Sequence, residues 1–266
     1  MKPQTFLVVT VDGGGNLPPV FGLADRLLKR GHRIVVLTEP CLQQAVEHRG
    51  FTFIPFQQHF TRTDRKEPLI RDWHTTPASD PTMKDVVLGP APVVVPETRA
   101  AIQRENVDVL LVDLLLPPAV LAAEAEGISS AILWHMPEYL PGPNRPPGMM
   151  GLLPGKGRLG RWRDRLLGAF FYRMTNKFTP RLNKICADLE LEPLQNAFDL
   201  LHRADRRLLM TMRDFDSPLE PAPENVRYTG PVLDDPDWVE DWHSPWPDHD
   251  QRPLVVVSFS STFQDQ

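Results

Sequence analysis

Cysteine is scarce in this chain, and long apolar runs are missing. Cys41 and Cys186 are too few for a disulfide framework and show no metal-ligand spacing. The apolar run at residues 6–11 is shorter than a signal-peptide core, and no stretch approaches the roughly 20 apolar residues of a membrane span. These absences predict a reducing compartment. We therefore expect a cytoplasmic protein with no integral membrane segment.

A strong excess of one charge is also missing. The chain carries 29 Lys and Arg against 34 Asp and Glu, a formal net charge of −5. This balance gives no reason to expect nucleic acid or an anionic membrane as a partner. One basic cluster, at residues 156–165, leads into an apolar helical stretch. The solvated start of an amphipathic helix is the favoured interpretation, and a membrane-surface anchor is the alternative.

Short β-branched runs alternate with longer helical patterns, which is typical of an α/β fold with a parallel, Rossmann-like sheet and helices on both faces. The predicted strands cover residues 6–11, 33–38, 51–54, 107–113, 130–134, 207–211 and 225–229. The predicted helices cover residues 20–30, 42–48, 83–105, 119–126, 161–189 and 194–202.

Two irregular stretches interrupt this pattern. Residues 57–83 are polar and lack periodicity, and long connections of this kind in compact domains are often functional. Residues 135–160 are rich in proline, which predicts a shaped loop at the carboxyl end of a strand, where open α/β sheets bind ligands. The adaptable side chains of Met149 and Met150 suit an apolar small molecule there, and a structural loop under the next helix is the alternative.

The last part of the sequence predicts a change of domain. Residues 234–252 are acidic, rich in Trp and Pro and aperiodic, as expected of a linker. An apolar run at residues 253–257 then enters a small-residue segment at 258–262, shortly before Gln266. We therefore expect one domain over residues 1–232, a linker over 233–252, and the first strand of a truncated second domain over 253–266.

The chemistry is expected in the turn after the first strand, where the sequence reads DGGGNLPP from Asp12 to Pro19. Glycine lets the backbone approach a ligand closely, and the helix that follows presents its N-terminal N–H groups to an anion. Phosphate is the natural ligand, with Gly14 and Gly15 as contacts. An NAD-type dinucleotide site is an alternative, with Glu39 as the ribose-binding acid, but Pro18 replaces the third glycine of that fingerprint.

Taken in order, five motifs resemble those of a known family. They are the Gly-rich turn running into Gly22-Leu23-Ala24, the entry to the second strand at residues 30–35, Val112-Asp113, the segment 225–231, and Val257-Ser258-Phe259. Over nearly all 266 residues, the chain resembles the amino-terminal half of GT1-type nucleoside-diphosphate-sugar glycosyltransferases. These GT-B enzymes glycosylate macrolides, polyketides and lipids in bacteria.

The resemblance implies that this domain holds a hydrophobic small-molecule acceptor. Most of a UDP- or dTDP-linked sugar would be bound by a carboxy-terminal domain located beyond Gln266. Transfer would be inverting, with a base removing the acceptor proton and no metal or other cofactor required. The fragment alone is expected to be inactive, and its uncovered interdomain face predicts self-association.

The resemblance does not directly identify the catalytic base. Many relatives carry a histidine in the Gly-rich turn, oriented by an aspartate at the end of a central strand. Asn16 stands at that histidine position and Asp113 at the aspartate position. Because a carboxamide accepts no proton at working pH, Asp12 or Asp113 would be the base, with Asn16 donating a hydrogen bond to acceptor or diphosphate. A role for Asn16 as helix cap or turn residue is an equal alternative.

Further site residues follow from the same resemblance. Ser261 and Thr262 match donors to the sugar-nucleotide phosphate, although Ser260 stands where the family usually has glycine. The residues expected to line the acceptor pocket are His135, Pro137, Met149 and Met150. A different class of function is a non-catalytic small-molecule-binding domain, in which Asn16 reflects loss of the base.

Overall fold

Seven parallel strands form one sheet in the order β3-β2-β1-β4-β5-β6-β7 within the described part of the chain. The computed structural model describes residues 2–70, 81–142, 145–216 and 223–232, and positions 243, 244, 246, 247, 252, 255 and 257. The strands are β1 (Thr5–Val9), β2 (Arg33–Thr38), β3 (Thr52–Pro55), β4 (Val109–Asp113), β5 (Ser129–Trp134), β6 (Arg206–Leu209) and β7 (Val226–Tyr228). The predicted α/β fold with a parallel sheet is confirmed, and each of the seven predicted strands is present.

Helices cover both faces of this sheet. They are α1 (Leu17–Lys29), α2 (Gln43–His48), α3 (Ala91–Glu105), α4 (Val120–Glu126), α5 (Gly157–Thr175), α6 (Thr179–Asp188) and α7 (Leu200–Arg203). Successive residues of a strand point to opposite faces, and β1 shows this directly. Val8 packs with the apolar side of α1, whereas Leu7 and Val9 belong to the larger cluster that includes residues of α3, α4, α6 and α7.

The helix predicted over residues 83–105 is wrong in its first third. A wide π-helical turn over Thr82–Val87 ends before Pro90, and α3 begins only at Ala91. Proline disfavours helical geometry in the residue before it, which explains the break. Gly89 is required at this point, because a Cβ there would lie 1.6 Å from the carbonyl oxygen of Lys84.

The single helix predicted over residues 161–189 is also wrong. It is two helices, α5 and α6, separated by a 3-10 turn at Asn176–Phe178. Pro180 lies in the first turn of α6. Its ring leaves no N–H for a bond to the preceding turn, which favours an interruption of the helix just before this position.

One charged pair is buried under the loop that follows β5. Arg207 of β6 donates to Glu138 at 2.7 Å, and the two side chains are 2 % and 3 % exposed. The guanidinium also lies 5.3 Å from the centre of the Trp134 ring. Burial lowers the pKa of Arg207, and the charge of Glu138 opposes that shift. The loop is thus joined to the sheet by an ion pair out of contact with water.

Substituting one partner of this pair should therefore destabilise the fold. Glu138→Gln leaves the buried cation of Arg207 uncompensated, and we expect the free energy of unfolding in urea to fall by about 3–5 kcal/mol. The double variant Glu138→Gln/Arg207→Met should recover part of that loss. Arg206→Met, at an exposed position of the same strand, is the control and should change stability by less than about 0.5 kcal/mol. A double variant less stable than Glu138→Gln would contradict the prediction.

Candidate functional site

The Gly-rich turn and Asp113 meet at one edge of the sheet. β1 lies between β2 and β4 in the sheet. From the carboxyl end of β1 the chain continues to β2 on one side, and from the carboxyl end of β4 it continues to β5 on the other side. In open α/β sheets the crevice at such a reversal of strand order is where ligands bind. The sequence prediction that these two segments face each other is confirmed by direct contacts between them.

Asn16 is bonded directly to Asp113. Its Nδ2 donates to Asp113 Oδ2 at 2.6 Å and to the carbonyl oxygen of Val11 at 2.8 Å, while its Oδ1 accepts from the Gly13 N–H at 3.0 Å. The residue directly precedes α1, but its side chain makes no capping hydrogen bond to that helix. Asn16 therefore occupies the N-cap position of α1 and lies in the turn, and its side chain bonds within the turn instead of capping the helix.

Asp113 is fully buried, with 0 % exposure. Its Oδ2 also accepts from the Thr10 hydroxyl at 2.6 Å, and its Oδ1 accepts from the Leu115 N–H at 2.9 Å. With Asn16 this makes three donor groups, all of them neutral. The nearby imidazole of His135 places Nδ1 3.9 Å from Asp113 Oδ1.

Asp12 has a different environment. Its Oδ1 accepts from the Gly14 N–H at 3.1 Å, and its Oδ2 pairs with Arg65 Nε at 2.7 Å. The backbone of Asp12 is held as well, because its N–H donates to Glu39 at 2.8 Å and its carbonyl oxygen accepts from Arg62 at 2.8 Å. The carboxylate therefore shapes the turn and is already paired with a cation.

A buried ion pair between Glu39 and Arg62 supports the turn from the side of β2. Arg62 Nε and Nη2 donate to the two oxygens of Glu39 at 2.6 and 2.5 Å, and Glu39 is 0 % exposed. Burial opposes the charge of Arg62, but the hydrogen bond and charge of Glu39 outweigh it and raise the Arg62 pKa. With both oxygens engaged, Glu39 is poorly placed to bind a ribose, which argues against the dinucleotide alternative.

Two positions of the turn favour glycine, each for a different structural reason. A Cβ on Gly13 would lie 2.7 Å from Leu115 Cδ1, so the turn packs directly against the segment after β4. Gly14 has φ of 93°, a value that L side chains rarely adopt. The backbone shape of the turn therefore depends on glycine at position 14, whereas a side chain at position 13 would require Leu115 to move.

The residues predicted to line an acceptor pocket follow β5. The carbonyl oxygen of Pro137 accepts from the Trp134 indole at 3.3 Å, and Met150 ends a short 3-10 turn with 41 % of its surface exposed. The side chain of Met149 lies outside the described part of the structure, as do Ser261 and Thr262. Most of the predicted linker at 233–252, and all but two positions of the segment 253–266, also lie outside it.

The sequence alone did not single out Thr10, Arg62 or Arg65. The only signal for the arginines was the long polar connection that contains them. Among the described residues there is no group of three or more His, Cys, Asp or Glu side chains that could hold a metal. None of the helices in the described part of the chain has the length and apolar character needed to cross a membrane.

Known proteins match this chain over most of its length. The 4'-demethylrebeccamycin synthase of Lentzea aerocolonigenes is 26 % identical over 270 residues, which cover 97 % of this chain and 63 % of the synthase. The kitacinnamycin glycosyltransferase has a TM-score of 0.64 at 23 % identity, over 92 % of this chain. The calicheamicin glycosyltransferase CalG4 has a TM-score of 0.61 at 16 % identity, over 93 % of this chain. No protein-family model matches.

This chain is similar to about half of a natural-product glycosyltransferase of the GT-B fold. The two solved structures share its fold over 55 % of their own chains. The chain likewise spans less than two thirds of the curated relative, at 63 %. The resemblance expected from the Gly-rich turn and the ordered motifs is thereby confirmed in sequence and in fold.

The contacts of Asn16 predict how its substitution acts. Asn16→Ala removes one donor to Asp113 and the acceptor of the Gly13 N–H, so we expect a loss of about 1–3 kcal/mol in the free energy of unfolding. Asn16→Asp places a second carboxylate against Asp113, and like charges at that distance repel. The Asp variant should therefore be least stable at neutral and high pH and approach the Ala variant in acid. Urea unfolding of both variants from pH 4 to 8 tests this, and identical pH profiles would contradict it.

The reactivity of the Cys41 thiol tests the burial and the charges around the turn. Burial, followed by the negative charge of Glu39, raises the pKa of its thiol to about 11. In a Cys186→Ala background, alkylation of Cys41 by iodoacetamide should therefore stay slow at pH 8 and accelerate only toward pH 11, because the thiolate is the nucleophile. The chain unfolded in guanidinium is the control and should react fully at pH 9. A half-maximal rate near pH 9 in the folded protein would contradict the expectation.

Proposed function

We propose that this chain is the acceptor-binding part of an inverting glycosyltransferase of natural-product biosynthesis. The co-substrate is a UDP- or dTDP-linked sugar, and the acceptor is a hydrophobic polyketide, macrolide, aromatic or lipid-like molecule. The observation that carries this proposal is the buried Asn16–Asp113 pair at the reversal of strand order, at 2.6 Å. Similarity to a synthase named for 4'-demethylrebeccamycin supports the substrate class. The two free cysteines suit a cytoplasmic location.

Apolar surface near the carboxyl edge supports a hydrophobic acceptor. The loop after β5 and the start of α5 expose large apolar side chains: Met136, Met150, Leu152, Leu153, Leu159 and Trp162. Exposure of such side chains to water is unfavourable, and covering them with an apolar ligand lowers the free energy. In this proposal His135, Pro137, Met149 and Met150 contact the acceptor.

Charge at the Gly-rich turn supports transfer of the sugar from the nucleoside diphosphate to the acceptor. Gly14 and Gly15 precede α1, whose first N–H groups and dipole favour the leaving diphosphate. Asp113 supplies a buried negative charge that favours proton removal from the acceptor. Asn16 holds Asp113 and the turn together, and Asp12 fixes the backbone at Gly14. Ser261, Thr262 and a carboxy-terminal domain complete the donor site in this proposal.

A non-catalytic binding domain is the second candidate. It is favoured by Asn16, which occupies the position of the usual base and whose amide groups are all engaged within the turn. Such a protein would keep the acceptor pocket and lose transfer. The two candidates therefore agree on acceptor binding and differ only in turnover.

Acceptor binding is tested on the 266-residue chain itself. Calorimetric titration with a panel of aromatic polyketide and macrolide aglycones should show saturable binding by at least one class, and UDP-glucose and dTDP-glucose should bind weakly or not at all. Met150→Asp should weaken aglycone binding at least tenfold. Met174→Asp, at a comparably exposed methionine on α5, serves as the matched control. Tight nucleotide-sugar binding without aglycone binding would overturn the acceptor role.

Turnover is tested in a fusion that supplies the carboxy-terminal remainder of the 4'-demethylrebeccamycin synthase. The intact synthase is the positive control for donor and assay. Sugar transfer to a bound aglycone, detected by mass spectrometry, would support the glycosyltransferase function. Aglycone binding without transfer by the fusion supports the non-catalytic domain instead.

A further inference from the structure

His135 is the one imidazole at the buried carboxylate of Asp113 among the described residues. It follows β5 directly, and its side chain is 13 % exposed. Its Nδ1 is buried and accepts or donates no hydrogen bond in the described structure. This nitrogen lies 3.9 Å from Asp113 Oδ1, beyond hydrogen-bond distance but within range of a direct ion pair. A buried polar atom with no partner requires an explanation.

We propose that His135 is the general base of the transfer reaction, oriented by Asp113, so that a base directly after β5 takes the place of one in the Gly-rich turn. This assignment rests on the proposed glycosyltransferase function. Nδ1–H points toward Asp113, and Nε2 carries the lone pair that faces the acceptor. The gap of 3.9 Å closes when the acceptor binds, since catalytic hydrogen bonds are often long in unliganded proteins.

The charge on Asp113 supports this role. Its three hydrogen-bond donors are a hydroxyl, a carboxamide and a backbone N–H, none of which carries charge. An ionised carboxylate accepts at about four lone-pair positions, so one remains for Nδ1–H. When His135 takes a proton, the imidazolium forms beside the buried carboxylate and is stabilised by it, as in other base–carboxylate pairs.

The other candidate bases are less able to act. Both oxygens of Asp113 lie in a side chain of 0 % exposure, so an acceptor hydroxyl cannot reach them. Asp12 is already engaged, because one oxygen pairs with Arg65 at 2.7 Å and the other accepts from the Gly14 N–H. Asn16 is neutral and fully engaged. His135 is the group that has a proton-accepting atom, partial exposure and a charge partner together.

The step balances without any further reactant. The acceptor hydroxyl gives its proton to His135 Nε2 while its oxygen forms a bond to the anomeric carbon. The bond from that carbon to the diphosphate oxygen breaks, and the nucleoside diphosphate leaves with the electron pair. The imidazolium then releases its proton to water.

The fusion protein with the synthase remainder tests the base in turnover. His135→Gln should lower kcat by about 10²- to 10⁴-fold, the usual contribution of a general base, with little change in the KM for the aglycone. In His135→Ala, added imidazole should restore a measurable part of the rate. His202→Gln, on the exposed side of α7, is the control and should retain full activity. An unchanged kcat in His135→Gln overturns the assignment.

A second measurement needs only the 266-residue chain. Nitrogen-15 NMR of labelled histidine should show neutral His135 protonated at Nδ1 in the wild type and at Nε2 in Asp113→Asn, because the carboxylate selects the tautomer. An Nε2–H tautomer in the wild type overturns the proposal. If the unsubstituted fusion transfers no sugar, the proposed function itself fails, and the NMR result still decides the geometry at His135.

Discussion

The site depends on one buried charge, the carboxylate of Asp113. An ionised group removed from water is tolerated only when hydrogen bonds replace its hydration. Here the replacement comes from Thr10 after β1, Asn16 in the Gly-rich turn and Leu115 after β4. Two of these donors belong to the connection between β1 and α1, and the third belongs to the segment after β4. Satisfying the charge therefore brings these segments to one place.

The Glu39–Arg62 pair extends this arrangement toward β2. Arg62 lies in the long connection after β3, and its guanidinium contacts the carboxylate of Glu39 and the carbonyl oxygen of Asp12. Glu39 in turn accepts from the Asp12 N–H. The backbone at the start of the Gly-rich turn is thus held by charge-assisted hydrogen bonds, which are stronger than neutral ones. The long polar connection after β3 therefore supports the turn.

The carboxamide of Asn16 determines what position 16 of the turn can do. A carboxamide can bond to Asp113 and to the backbone of the turn at once, and Asn16 does both. The turn gains a fixed shape, and position 16 supplies no proton acceptor. The imidazole of His135, on the other side of Asp113, has the chemistry that Asn16 lacks.

The sequence by itself determined the α/β class, the seven strands and the facing of the Gly-rich turn and Asp113. Hydrophobic period and glycine placement are local signals, and parallel strands bring their carboxyl ends to one edge. It misjudged the helices near Pro90 and Pro180, where the apolar periodicity continued but the backbone geometry changed. Only the tertiary structure decided the partners of Asn16, the pairing of Glu39 with Arg62, and the position of His135 beside Asp113. These depend on side chains far apart in sequence, and the spacing of residues along the chain does not record which of them share a buried charge.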